Sequence, residues 1–137
     1  MVFRDYRRED YHGLILLWNV LGMTAEERGD TPEVIQRTID QGGKLIVLEH
    51  EEKIIGSSWL TTDGRRMFLH HFCIDEAFQG KGLGMKLGEE SMKFIREKGF
   101  QVKLEVHKEN HAAKKLYEKL GFFAFTEYDI YMKRKVR

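Results

Sequence analysis

Proline occurs once in the 137 residues, at Pro32, and cysteine once, at Cys73. A single thiol excludes an intrachain disulfide framework. No apolar run approaches the ~20 residues that cross a bilayer, and Met1-Val2-Phe3-Arg4-Asp5 has no apolar leader pattern. An excess of either charge is also missing, since 23 Lys and Arg stand against 22 Asp and Glu. That balance leaves no electrostatic footprint for nucleic acid. The basic end Lys133-Arg134-Lys135-Val136-Arg137 reads most simply as a solubilising tail, with nucleic-acid contact a minor alternative. What is there, 42% hydrophobic and 33% charged residues, suits a folded globular chain. The length suits one domain over residues 1–137. The expectation is a cytoplasmic protein with neither membrane nor nucleic-acid partners.

Hydrophobic spacing sets the element order. Residues 2–6 predict a first strand. Residues 9–21 predict a helix, because Leu14, Leu17, Trp18 and Leu21 recur at three- and four-residue steps. Residues 23–30 are polar and read as a loop. Thr31-Pro32-Glu33 is a helix start, with a capping hydroxyl, a first-turn proline and an acid near the positive end. Its helix ends at Gly42-Gly43. Strands follow over 44–49 and 54–61, and Asp63-Gly64 signals a hairpin into a third over 67–74. That run is apolar on both faces, which places it inside a sheet. A helix over 85–98 carries Leu87, Ser91, Phe94 and Ile95 on one side. Over 101–106, Val102, Leu104 and Val106 alternate with Lys103 and Glu105. The last helix, 110–120, has Ala112, Ala113, Leu116, Tyr117 and Leu120 on one stripe, and two more strands are expected over 122–125 and 128–133. The order β-α-α-β-β-β-α-β-α-β-β describes an α/β (α+β) chain, a mixed sheet with helices on its faces.

The stretch around which this order is arranged is Asp75-Glu76-Ala77-Phe78-Gln79-Gly80-Lys81-Gly82-Leu83-Gly84. It leads from a strand into a helix. The first turn of a helix has N–H groups without internal partners, and the helix dipole makes that end a site for phosphate. Glycines at 80, 82 and 84 remove the Cβ atoms that would hold an anion away, and allow backbone angles that aim several donors at one point. The spacing is not G-x-G-x-x-G, because Met85 stands at the last position. Nor is it a P-loop, because no Gly-Lys pair precedes Ser or Thr. It is Q-x-x-G-x-G, through Gln79, Gly82 and Gly84.

A second segment runs from Leu104-Glu105-Val106 through Asn110 to Ala113-Lys114-Lys115-Leu116-Tyr117-Glu118-Lys119-Leu120-Gly121-Phe122. Together the two segments resemble the GNAT superfamily of acetyl-CoA-dependent N-acetyltransferases. Its acyl-CoA loop has the first pattern, and its later helix carries A-x-x-[LF]-Y-x-x-x-G-F. The resemblance covers nearly the whole chain and is strongest over 67–122. Asp63-Gly64-Arg65-Arg66 is a weaker cue to a bacterial branch of small members. One departure is Glu76, where many members have proline after the aspartate.

The resemblance implies a largely antiparallel twisted sheet with one parallel strand pair that splays apart, leaving backbone for the pantetheine amides of acetyl-CoA. On that implication Phe72, Cys73 and Ile74 supply backbone, and Gln79, Gly80, Lys81, Gly82, Leu83, Gly84 and Met85 hold the pyrophosphate. Lys81 either adds charge or is solvated. Asn110 caps the last helix, bonds the pantetheine arm, or does both. An amine attacks the thioester directly in a ternary complex. Tyr117 is the expected general acid to the CoA thiolate, or an aromatic filling the helix–sheet interface. Glu105 is the expected base, directly or through water, or a solvated strand glutamate. His70 and His71 are reserve bases, although a histidine on a central strand is more often a hydrogen-bonded core residue. His107 and His111 have a metal-ligand spacing if helical, but without further ligands nearby no metal is expected. Cys73 has no evident base partner, so covalent catalysis is rejected. The acceptor, a small-molecule or protein amine, is unspecified. A homodimer is compatible with the sequence, which leaves oligomeric state open. The competing function is a catalytically inactive acyl-CoA-binding or sensing protein of the same fold.

Overall fold

The computed structural model describes residues 1–23 and 29–137. The chain runs β1 (Val2–Asp5), α1 (Tyr11–Val20), α2 (Pro32–Asp40), β2 (Lys44–His50), β3 (Lys53–Thr62), β4 (Met67–Ile74), α3 (Leu83–Lys98), β5 (Val102–Leu104) and α4 (His111–Lys119). Short 3-10 turns at Arg8–Asp10 and Glu76–Phe78 precede α1 and α3. The five strands form one sheet in the order β1-β2-β3-β4-β5. All neighbours are antiparallel except β4 and β5, which are parallel. The mixed sheet with a parallel pair agrees with the expected fold class. Of the loop expected over 23–30, residues 24–28 lie outside the described residues.

Local chemistry accounts for the boundaries. Thr31 Oγ1 accepts from the Val34 amide at 3.3 Å, and Pro32 opens α2 as expected. Asp63 Oδ1 accepts from the amides of Arg65 and Arg66 at 2.8 and 2.7 Å, closing the β3–β4 hairpin. The β2–β3 hairpin turns on Glu51 and Glu52, both with positive φ (50° and 64°). That conformation favours Asn-Gly and costs any residue with a Cβ. A tripartite ion contact pins the start of the sheet. The Arg4 guanidinium is bidentate on Asp10, at 2.8 Å to each oxygen, and reaches Glu49 at 3.0 Å. Burial alone would raise the Asp10 carboxyl, but bonds from Arg4 and the Arg7 amide hold it below its ordinary value.

The core has two sides. One face of the sheet packs on α1 and α2 through Leu14, Leu17, Trp18, Ile35, Leu45, Val47, Trp59 and Cys73. The other packs on α3 and α4, with Leu48, Ile55 and Leu87 in one cluster and Leu60, Met67, Ile95 and Tyr117 in a second. Each large buried side chain contributes ~1.5–3 kcal/mol relative to exposure. Contact between α3 and α4 is close: a Cβ at Gly88 would come 2.5 Å from Leu120 Cδ1. No helix among the described residues is long and apolar enough to cross a membrane.

Four expectations are corrected. The third helix starts at Leu83, not 85, so Gly84 lies in its first turn. The strand over 101–106 is only Val102–Leu104, leaving Glu105 beyond its end. Ala112 is exposed and is not part of the buried stripe of α4. The two strands expected over 122–125 and 128–133 do not form. Their apolar residues stay in solvent, with Phe125 at 66% and Tyr131 at 93% exposure. A strand needs a partner edge and a face to bury. β5 offers only three residues of edge, and residues 128–133 have apolar side chains on both alternating faces with no layer left to cover them.

Candidate active site

The glycine-rich turn is assembled as the sequence spacing requires. Asp75 Oδ1 accepts from the Ala77 amide at 3.0 Å, starting the 3-10 turn. Gln79 Nε2 then donates to the Ile74 carbonyl at 2.8 Å, so this side chain ties the turn to the end of β4. Gly80 and Gly82 have φ of 78° and 80°, and Gly82 is the N-cap of α3 with no side chain bonded to the helix end. Such angles are strained for residues with a Cβ. Gly84 is helical and serves differently, since a Cβ there would stand 3.7 Å from Leu116. Among the described residues the amides of 80–85 have no acceptor. No acidic residue occupies the first turn of α3. Lys81 Nζ lies 5.5 Å from the centre of the Phe78 ring. This is a cradle of free donors at the positive end of a 16-residue helix.

Next to that cradle the sheet opens. The β4–β5 ladder pairs Met67, Phe68 and Leu69 with Val102, Lys103 and Leu104, and ends there. β4 continues to Ile74 without β5 beside it. Past Leu69 the β5-facing edge of β4 therefore has no strand beside it, a geometry suited to a peptide-like chain, with the Ile74 carbonyl already taken by Gln79. Tyr117 is 9% exposed, its ring edge-on to Phe72 at 5.7 Å and Phe122 at 5.8 Å. Its hydroxyl has no hydrogen-bond partner among the described residues. The buried side-chain polar atom left without one there is Tyr6 Oη, so Tyr117 Oη is not sealed from solvent. Burial, then the nearby Cys73, push the phenol up to about 12. Burial likewise pushes the Cys73 thiol up to about 11, against hydrogen bonding from Ser57 that lowers it. Asn110 caps α4, its Oδ1 accepting from the Ala113 amide at 3.1 Å. Glu105 is exposed. His107 precedes α4 and His111 begins it, so the two are not on one helical turn. Among the described residues no group of three or more His, Cys, Asp or Glu is placed to hold a metal.

A model of the acetyltransferase (GNAT) family matches residues 3–122. The chain belongs to the GNAT acetyltransferase family. Solved acetyltransferase structures share the fold of this chain. An acetyltransferase from Streptococcus agalactiae superposes with a TM-score of 0.80 at 24% identity, over 99% of this chain and 92% of that one. Glucosamine-6-phosphate N-acetyltransferase from Arabidopsis thaliana gives 0.73 at 23% identity, over 99% and 98%. The N-alpha-acetyltransferase RimI of Mycobacterium tuberculosis is 43% identical over 54 residues, 39% of this chain. That match spans 33% of the relative's length.

On the α1 side of the sheet this GNAT chain holds a further group that sequence reasoning ranked low or missed. β4 carries a bulge: Ser57 pairs with Cys73 and Trp59 with His70, so His71 and Phe72 together oppose Ser58. His71 has φ 45°. Its Nε2 lies 2.9 Å from Asp30 Oδ2. The ring is edge-on to Trp18 at 4.4 Å and Trp59 at 5.6 Å. Ser57 Oγ donates to the His71 carbonyl at 2.7 Å and accepts from Trp18 Nε1 at 2.8 Å. His70 Nε2 meets Thr61 Oγ1 at 2.9 Å. Burial and the neighbouring His71 lower the His70 pKa, while Asp30 and Glu105 oppose the shift. No sequence signal joins Asp30 to His71, 41 residues apart.

Proposed function

We propose that the chain transfers an acetyl group from acetyl-CoA to a primary amine by direct attack in a ternary complex. The observation that carries this reading is the run of unpartnered amides over 80–85, placed where β4 and β5 part. Acetyl-CoA supplies the thioester. Residues 79–85 would hold its pyrophosphate, with Phe72, Cys73 and Ile74 lending backbone to the pantetheine arm and Asn110 a further hydrogen-bond partner for that arm. Tyr117 gives its proton to the departing thiolate. In water, a phenol at ~10 is a poor acid toward a thiol at ~8.5. Burial raises Tyr117 further, to about 12, so the transfer depends on the hydroxyl being positioned at the sulfur.

Glu105 is the proposed base and works through water, because it is exposed beyond β5. Glu105→Gln is expected to lower the rate most below the pKa of the acceptor amine. A pH–rate profile identical to the parent's would remove Glu105 from the mechanism. The name of the mycobacterial relative makes an α-amino group the first acceptor to test. Its pKa near ~7.7 asks less of a base than lysine at ~10.4.

Thiol release from acetyl-CoA over a panel of amines, α-amino peptides included, tests the function. Tight binding of CoA with no turnover on any amine would favour an acyl-CoA sensor of the same fold. Gly82→Val tests the cradle. Valine is strained at φ 80° and would displace the first amides of α3. CoA affinity, measured by calorimetry on the folded variant, is expected to fall about tenfold or more, an effect of ~1.4 kcal/mol or above. Unchanged affinity would take the turn out of the binding site.

A further inference from the structure

We infer that the groove between α1 and the β2–β3 hairpin is a docking site for the basic segment 132–137 of a second copy of this chain. The inference is independent of the acetyltransferase reading. It concerns the side of the sheet opposite Tyr117.

The groove has a volume of about 570 Å³ and an apolar floor. Gly13, Leu17 and Leu21 of α1 line it together with Ile54 of β3. The helix runs close to the strand there, since a Cβ at Gly13 would stand 3.4 Å from Ile54 Cγ1. Leu14, Ile15, Leu17 and Trp18 already fill the core. Leu16 and Val20, four residues apart, share another face of α1 and border the groove at 55% and 77% exposure. A helix apolar on all sides is ordinarily covered on all sides.

Charge says what covers this one. Glu9, Asp10, Glu49, Glu52, Asp75 and Glu76 line the groove, against Lys53 and His12 among the described residues. Arg4 holds Asp10 and Glu49, and Lys53 Nζ lies 3.5 Å from Asp75. Glu9 has an exposed Arg7 at 3.8 Å. Glu52 and Glu76 have no ion pair among the described residues. The groove therefore fits an apolar segment that carries several positive charges.

The chain itself has such a segment. Residues 123–137 are exposed throughout, and none lies in a helix or strand. Met132 and Val136 are 64% and 77% exposed, interleaved with Lys133, Arg134, Lys135 and Arg137. In an extended conformation Met132 and Val136 share one face, and Lys133, Lys135 and Arg137 share the other. The apolar face suits the floor, and the long cationic stems can bend to the carboxylates at the rim. The lengths also agree. Residues 9–21 run for ~18 Å at a helical rise of 1.5 Å per residue. Residues 132–137, extended, span ~20 Å.

The path of the chain favours a second copy over its own groove. The segment follows α4, which packs on one face of the sheet, whereas the groove opens beside α1 on the other. With a net charge of +1 the chain is close to neutral, but it is acidic at the groove and basic at the segment. That arrangement is complementary to itself, and reciprocal exchange between two copies closes a two-fold dimer with two identical contacts.

The test is the mass of the full chain by sedimentation equilibrium. A dimer is expected at low salt. Its dissociation constant should rise about tenfold or more from ~0.05 to ~0.5 M NaCl, as screening shortens. Reversing the segment with Lys133→Glu, Arg134→Glu and Lys135→Glu should leave a monomer. Reversing the groove with Glu52→Lys and Glu76→Lys should do the same. Mixed in equal amounts, the two variants should dimerise again, because each segment now meets a groove of opposite charge. Loss of stability alone gives no such rescue. Should the groove variant fail to fold, the segment variant, altered only at exposed residues, decides together with the salt response of the parent. Variants that stay monomeric when mixed overturn the inference. So does a monomeric parent, including one in which a carbodiimide joins Lys135 to Glu52 within a single chain. A dimer indifferent to salt and to both reversals overturns it in favour of another face. None of these measurements needs turnover, so their failure is distinct from a failure of acetyl transfer.

Discussion

Tyr117→Phe is expected to lower kcat by about 100-fold or more, the low end of what a positioned general acid contributes. Little else should change. Phenylalanine keeps the edge-on contacts to Phe72 and Phe122. The deleted hydroxyl has no protein partner among the described residues and is not sealed in the core, so no polar group is orphaned by its loss. Stability by urea denaturation should therefore match the parent, and so should the Kd for acetyl-CoA. Loss in kcat and kcat/KM together, with KM nearly constant, would mark an interaction made only as the thiolate departs. An acceptor activated for leaving-group departure offers a second check: a thioester with a more acidic thiol should be less sensitive to the substitution. Full activity in the variant would leave Tyr117 as an aromatic packed between helix and sheet.

Much of the architecture that positions this site was legible because it is local. Thr31-Pro32-Glu33, Asp63-Gly64 and the glycines at 80 and 82 each dictate their own backbone, and the structure has a cap, a hairpin and two left-handed glycines at those places. The alternation of Val102, Leu104 and Val106 also reports burial correctly, although the ladder stops at Leu104. What was not legible is relational. Periodicity cannot show where two parallel strands cease to pair, and the family resemblance rather than the spacing implied a splay. A bulge leaves no residue-type signature when histidine occupies the left-handed position. His70 and His71 therefore read only as histidines on a central strand, whereas Trp59 lies against both. Asp30 was assigned to a polar loop for the same reason, since its partner comes from another element. The tail shows the converse limit. Residues 128–133 have strand-forming types, but propensity without an edge and a covering layer yields no strand.

Trp18→Ala is expected to cost ~3–5 kcal/mol, the range for deleting a buried aromatic. The side chain has 0% exposure and stacks on Trp59 at 5.9 Å with 10° between the planes. A small domain has only ~5–15 kcal/mol in all, so the variant should sit near the edge of folding, with a much lower urea midpoint. Trp18→Phe separates volume from hydrogen bonding. It retains most of the packing and deletes the Nε1–H that Ser57 Oγ accepts at 2.8 Å, and should cost ~1–2 kcal/mol. The milder variant is the more informative for chemistry. Ser57 is the hinge between Trp18 and the His71 carbonyl, with Cys73 Sγ a further 3.4 Å contact. Releasing it frees Ser57 to rotate and relaxes the peptide that holds His71 at positive φ. Activity should then fall by more than the remaining folded fraction accounts for. A loss of rate strictly proportional to unfolding would mean that the indole fills the core and leaves the bulge untouched.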